Sequence, residues 1–524
     1  MRAELLAGLV LAGSANAQCE YAELLPFVAS VGSDFGWTLS VEGDRALVAH
    51  PLNEEVQVFE RIAGVWTLSG SLVSDGLTPF DEFGKAVSID GDLAIVGATQ
   101  DSEIAMTAGA AYVYARTAGV WAFEAKLTAS DAAAGDLYGN SVSISGQRAI
   151  VGSWRDDEGG DHAGAAYIYE RSGTLWTETA RLVASDADDF YAFGTAVSLS
   201  GGTALITAPW DSHTGMASGS AYIFQGSGTQ WVERAKLIPG DAAVGQWFGW
   251  SAALSGSTAI VGCWKDSEAG SLAGAAYVFE PVGPANSWIE TDKWLASDAA
   301  AQDGFGHAVA LSGDVAIVGA PQAAGGGQAY VFERAGGTFT EVAMVSSRDA
   351  ELGDEFGYSV SVSPPFALVG ALNGDGVISD AGSAYILQLD AEVSNYCTST
   401  ANSSGWPARM DYRGCPSLLP NDFTLLTSSV PLNQPGLFFA GPDQVQVLFG
   451  NGARCAGGSP VLRLPPFVVS GADGRFEYPL DLQSALATML TAGSTWNFQA
   501  WFRDPVAGGA GFDFPDGLSV RFVP

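Results

Sequence analysis

Four aspartates recur at a constant step of 55 residues: Asp101, Asp156, Asp211 and Asp266. Three of these places also carry a tryptophan, in Trp154-Arg155-Asp156, Trp210-Asp211 and Trp264-Lys265-Asp266. A carboxylate beside an indole sets hydrogen-bond acceptors next to a flat apolar surface, a combination that suits a sugar ring or a partner protein. These seven residues are the candidate ligand-binding set. A second series, Asp131, Asp186 and Asp241, keeps the same step, and Asp75, Asp298 and Asp349 fall near it. Equal register places each series at equivalent points of repeated units, so carboxylates are expected to crown one face. Each aspartate has a structural alternative, accepting backbone N–H groups of its own turn. Each tryptophan has one too, packing on a neighbouring unit.

Paired acids can also cleave glycans, but among 58 Asp and Glu residues, nearness in sequence singles out no pair. His50, His162, His213 and His307 form no H-E-x-x-H pair, and neither a G-x-S-x-G elbow nor a phosphate-binding loop is present. The expectation is therefore a non-enzymatic protein. A secreted carbohydrate-active hydrolase or lyase and a cell-envelope structural protein are the alternatives. The stretch Asn373-Gly374-Asp375, followed by Asp380, has the look of a calcium loop and competes with a plain polar turn.

The elements that position these groups are repeated. Phe-Gly or Tyr-Gly stands at residues 35, 83, 138, 193, 248, 305 and 356, with steps of 48, 55, 55, 55, 57 and 51. Units this small cannot bury their own apolar faces and must stack. The third unit predicts strand A over Gly139–Ser145, strand B over Arg148–Gly152 near a central channel, strand C over Gly164–Glu170 and strand D over Trp176–Ala184. Seven such units make a seven-bladed β-propeller. Its A–B and C–D turns share one face, and its longer B–C and D–A loops share the other. The seventh unit lacks a strand D of its own, and residues 21–30 (YAELLPFVAS) read as that missing strand, closing the ring from the N-terminus. Recurring tyrosines in strand C and aromatics in strand D read as packing between blades.

The expected domains are a signal peptide over 1–17, the propeller over 18–390 and a C-terminal β-rich domain over 391–524. Arg2, the apolar run from Leu5 to Ala12 and Ala15-Asn16-Ala17 carry the leader reading, which implies a secreted or cell-surface protein. The tail, with segments such as STWNFQAWFRDP and LSVRFVP, reads as a small β-sandwich. A net charge of -35 disfavours nucleic acid and anionic membrane as partners, and no segment is apolar for long enough to be inserted in a membrane. The expected partner is a protein or carbohydrate at a cell surface, met by a monomer. Cys263 stands where other units have a small residue and is expected to be a buried free thiol. Cys19, Cys397, Cys415 and Cys455 can pair in three ways. Cys19–Cys397 would lock the ring, and Cys415–Cys455 would then staple the tail.

The text FGTAVSLSGGTALITAP (193–209) and FGHAVALSGDVAIVGAP (305–321) resembles the FG-GAP repeats of integrin α-subunit propeller heads and of bacterial secreted proteins, over about residues 21–390. The resemblance implies a propeller that serves adhesion or recognition. Calcium-binding members carry an aspartate-rich loop between the two strands of the motif. Here that connection is a two-residue turn, such as Gly146-Gln147, too short for the six to eight oxygens of Ca2+. No cofactor is therefore expected, and any Ca2+ would have to bind elsewhere.

Overall fold

The computed structural model describes residues 16–27, 34–73, 78, 80–283, 287–347, 349–375, 380–396, 402–404, 407–413, 423–449, 451–471, 474–482, 490, 494–506 and 511–522. The leader falls almost wholly outside them, as do Asp75, Cys397 and Cys415. The chain forms two compact units, one of Ala22–Leu387 and one of Met1–Tyr21 with Gln388–Pro524.

The first unit is a seven-bladed propeller. Blades one to six are four-stranded antiparallel meanders over Leu39–Leu72, Phe83–Leu127, Ser141–Leu182, Val197–Leu237, Ser251–Trp294 and Ala308–Val345. Blade seven takes strands A and B from Phe356–Ser363 and Phe366–Ala371, and strand C from the start of Ser383–Tyr396. The strand Asn16–Leu24 pairs with Ser383–Tyr396, and its end, Ala22–Leu24, falls in this unit as the fourth strand of the blade. This strand lies N-terminal to the 21–30 expected from sequence. Pro26 has no N–H to give to a ladder, so pairing ends ahead of it.

Within a blade, Ser145 pairs with Arg148, leaving Gly146 and Gln147 to turn. Gly146 has φ 59°, the left-handed conformation that a two-residue hairpin turn requires. Strands C and D share a register shift at one place in blades one to six, as between Ile168 and Tyr169, and this adds local twist.

The repeated motif is a docking device. The first aromatic, such as Tyr138 or Phe193, is fully buried and meets the strand-C tyrosine of its own blade edge-on, with centroids 5.5 Å apart for Tyr138–Tyr167. Its backbone bridges to the preceding blade, as Phe193 does to Gly164. A Cβ added at Gly152 in strand B would lie 2.2 Å from the carbonyl oxygen of Gly194 in the next blade, so only hydrogen fits. Serines reinforce five junctions. Ile89, Ile144, Leu199, Leu254 and Val41 donate their N–H groups to Ser40, Ser88, Ser143, Ser198 and Ser361 of the preceding blade. The last of these bonds joins blade seven to blade one.

The innermost strand is A, and strand B, expected near the channel, is the second from it. The channel is walled by strand A of all seven blades. Strand B is flanked on both sides within its sheet and is almost completely buried, which is why its text is the more uniformly apolar.

In the second unit, Val393–Tyr396 pairs with Gly517–Val520, and the sheet continues through Thr495–Arg503 and Pro435–Gly441 to Leu462–Val469. A three-stranded sheet of Arg409–Arg413, Thr424–Ser428 and Phe476–Pro479 supplies Met410, Leu425 and Phe476 to a core shared with Phe438, Phe498 and Leu518 of the larger sheet. This is a β-sandwich. Cys455 is disulfide-bonded, while Cys263 is buried and free. The side chain of Cys19 lies outside the described ones.

Candidate functional site

The four B–C aspartates do not crown the face. Asp101, Asp156, Asp211 and Asp266 are 3%, 3%, 0% and 1% exposed. Each caps its own turn, accepting the N–H of the residue two places on. Each also accepts the hydroxyl of the strand-C tyrosine eleven residues later, as Tyr167 Oη gives to Asp156 Oδ2 at 2.6 Å. A strand-D cation completes each set: Lys126, Arg181, Lys236 or Lys293. The D–A aspartates Asp131, Asp186 and Asp241 join from the other side of the same tyrosines. Burial resists ionisation of Asp101, but hydrogen bonds from Lys126, Tyr112 and the Glu103 backbone outweigh it and hold the carboxyl below its usual range. These aspartates are held by structural partners, and the crown of carboxylates expected on the loop face is not formed by them. Their charge is spent inside the blade.

The three tryptophans fare differently. Trp154, Trp210 and Trp264 are half-buried and belong to one arc of rings. Trp154 meets Trp210 at 5.2 Å, Trp210 meets Trp247 at 6.1 Å, and Trp247 stacks on Trp250 at 5.6 Å. Trp264 touches both Trp247 and Trp250. From Trp250 the arc continues through His307 to Tyr358 and Trp37.

Most of these additional residues occupy one repeat position, directly after Phe/Tyr-Gly. Trp37, Lys85, Asn140, Thr195, Trp250, His307 and Tyr358 follow the motif in blades one to seven, and all of them line the channel cavity of about 560 Å3. Sequence reasoning missed them. The signal was there, since this position changes from blade to blade while its neighbours stay constant. Burial drives the His307 pKa down to about 4, so the ring is neutral, and Nδ1–H donates to the Tyr358 carbonyl at 3.1 Å. Burial also raises the carboxyls of Asp34 and Glu355 at the mouth, with Lys85 partly opposing the shift at Asp34. Lys85 lies over Trp37 at 4.3 Å, Lys265 over Trp247 at 3.0 Å and Arg155 over Trp154 at 4.4 Å.

Asn373 donates to the Gly353 carbonyl, and the exposed Asp375 accepts the Asp380 N–H. Among the described residues, the group with metal-binding spacing is instead Asp157, Asp161 and His162. Asp157 there already accepts the His162 N–H at 2.7 Å.

Asp136, in the D–A loop before blade three, titrates at about 6. Burial is the main cause, and Asp156, Asp157 and Asp131 add to it against a hydrogen bond from Ala133. The folded chain keeps a proton there that the unfolded chain has lost, so this group's contribution to stability disappears as pH rises from about 4 to 6. Asp136→Asn should flatten stability across that window and stabilise the protein at pH 7.5 by about 2 kcal/mol. Urea denaturation of both proteins at pH 4, 6 and 7.5 checks this, and parallel pH profiles would refute it.

A family profile described as FG-GAP repeat matches residues 66–114, 121–169, 176–224, 231–279, 288–332 and 339–387, more than half of the chain. Each match begins at a strand-D aromatic and ends in strand C of the next blade. No curated protein matches the chain. Among solved structures, the chain is similar to Sqt1 of Saccharomyces cerevisiae, at 9% identity and a TM-score of 0.40, over 78% of this chain and 96% of that one.

Proposed function

Because the chain belongs to the FG-GAP repeat family, we propose that its propeller is an exported, non-enzymatic recognition module that binds a protein or carbohydrate at a cell surface. The binding face is that of the B–C and D–A loops. One observation carries this reading. Large apolar side chains stand exposed on those loops, Leu52, Phe80, Met106, Phe190, Met216 and Leu352, with Phe80 at 83% and Leu352 at 92%. Apolar side chains are also exposed at the C–D turns, as at Val120 and Leu175, but exposure is higher on these loops, at Leu352, Phe80, Met216 and Met106, and in a chain of net charge -35 this fits a docking surface.

The engagement of the B–C aspartates with lysine, arginine and tyrosine supports a non-catalytic role, since no proton transfer is free to them. The leader-like N-terminal text supports export. No helix among the described residues is long and apolar enough to cross a membrane. The two-residue A–B turns support recognition that does not depend on calcium at those turns.

The test compares fluorescently labelled wild-type protein with a variant carrying Phe80→Ser, Met106→Ser, Met216→Ser and Leu352→Ser, for binding to intact cells of the producing species. Because these side chains are exposed, the variant should melt like the wild type and bind at least about tenfold more weakly. Equal binding by the two proteins would remove this face from consideration.

A further inference from the structure

We propose that the channel mouth receives the end of a neutral glycan chain, its sugar rings packing on Trp250 and Trp37 and its hydroxyls bonding to the side chains between them. The inference rests on the loop face being the recognition face and names the ligand class for its centre. The cavity of about 560 Å3 is of the size that encloses a small ligand. Trp37 and Trp250 come from blades one and five and line the same cavity. Indole faces take the C–H faces of sugar rings, which are apolar although their edges are not.

The remaining groups at this level suit hydroxyls. Asn140 and Thr195 are neutral, and His307 gives its Nδ1–H to Tyr358, leaving Nε2 as an acceptor. Tyr358 stays protonated because it is buried beside Glu355 and Asp34, so its hydroxyl is a donor. Among the described residues lining the cavity, Lys85 is the one charged side chain.

Charge excludes the other occupants. A cationic ligand would meet the like charge of Lys85, which lines the cavity itself. An anionic ligand would meet Asp34 and Glu355 at the mouth, within the field of a chain of net charge -35. What remains is a neutral, hydroxyl-rich molecule with apolar faces.

The experiment follows tryptophan fluorescence while neutral gluco-, manno-, xylo- and chito-oligosaccharides of four to six units are added to the full chain, with galacturonate oligomers alongside. At least one neutral series should saturate, and the galacturonate series should not. Trp250→Ala should weaken binding by about tenfold or more. Thr195→Phe, which narrows the channel without removing an aromatic, should do the same, so that loss of fold is not mistaken for loss of a contact. Absence of saturation by every neutral series, preference for galacturonate, or binding untouched by both variants would overturn the proposal. Cell binding that depends on the loop rim and yet is unaffected by Trp250→Ala and Thr195→Phe would sink the glycan inference alone. Loss of rim dependence would sink the face as a whole.

Discussion

Lys236→Met should destabilise the propeller by about 3–5 kcal/mol, the range seen when one partner of a buried ion pair is removed. The ammonium lies 2.5 Å from Asp186 and 2.6 Å from Asp211, and the Asp211 side chain is almost wholly buried. The Tyr222 hydroxyl sits between the same two carboxylates, at 2.9 and 3.0 Å. It has one hydrogen to give. Without the lysine, the Tyr222 hydrogen and the Ser220 hydroxyl, 2.6 Å from Asp211 Oδ2, are the side-chain donors left to two like charges, and one carboxylate takes up a proton or leaves. Asp211→Asn in the Lys236→Met background should therefore recover part of the loss, since it removes one negative charge and keeps an acceptor for Tyr222. Urea denaturation of the four proteins in this cycle measures the coupling. A single-variant loss below about 1 kcal/mol, or a double variant weaker than Lys236→Met, would show that the set is not held by charge.

Gly370→Ala should cost about 2–3 kcal/mol and act at the one junction that closes the ring. A Cβ at Gly370 would stand 2.4 Å from both the Gly36 carbonyl oxygen and Ser359 Oγ. Ser359 Oγ donates to that same carbonyl at 2.6 Å, so the added methyl displaces the bond as well as the backbone. Blades one and four already carry Ala49 and Thr207 at the equivalent place, which shows that a junction can widen locally. The cost is therefore one of relaxation rather than exclusion. Urea denaturation gives the magnitude, and earlier proteolysis near Asn16–Leu24 in the variant would locate the opening. A variant as stable as the wild type would mean that the seam does not limit stability.

The fold was legible because a seven-fold period leaves few architectures open, and every unit repeats the same punctuation. The radial order of the strands was not. Strand A alternates and strand B is more uniformly apolar, but a single unit read by itself does not say which of them meets the channel. The burial of the aspartates was hidden for a different reason. Their register was noticed, but their partners keep register too, with a tyrosine eleven residues on and a cation 25 or 27 residues on. A carboxylate that repeats together with its counter-charge is a structural element, and reading the acids alone hid this. The tryptophans were recognised singly, but their joining into an arc depends on Trp247 and Trp250, which flank Phe248-Gly249, the motif of blade five. The position after the motif was overlooked because it has no constant identity to attract notice.

The inherited segment and the blade are out of phase: each matched stretch starts in the outer strand of one sheet and finishes in the third strand of the next. Copying such a segment during evolution lays down the outer strand of an old blade along with most of a new one, so the newcomer arrives already sewn to its neighbour. Gain or loss of a copy changes the number of blades and never leaves one torn. The same offset leaves the last blade one strand short, and the opposite end of the chain makes up the difference whatever the copy number. Growth by duplication and closure into a ring are thus built into where the repeat is cut.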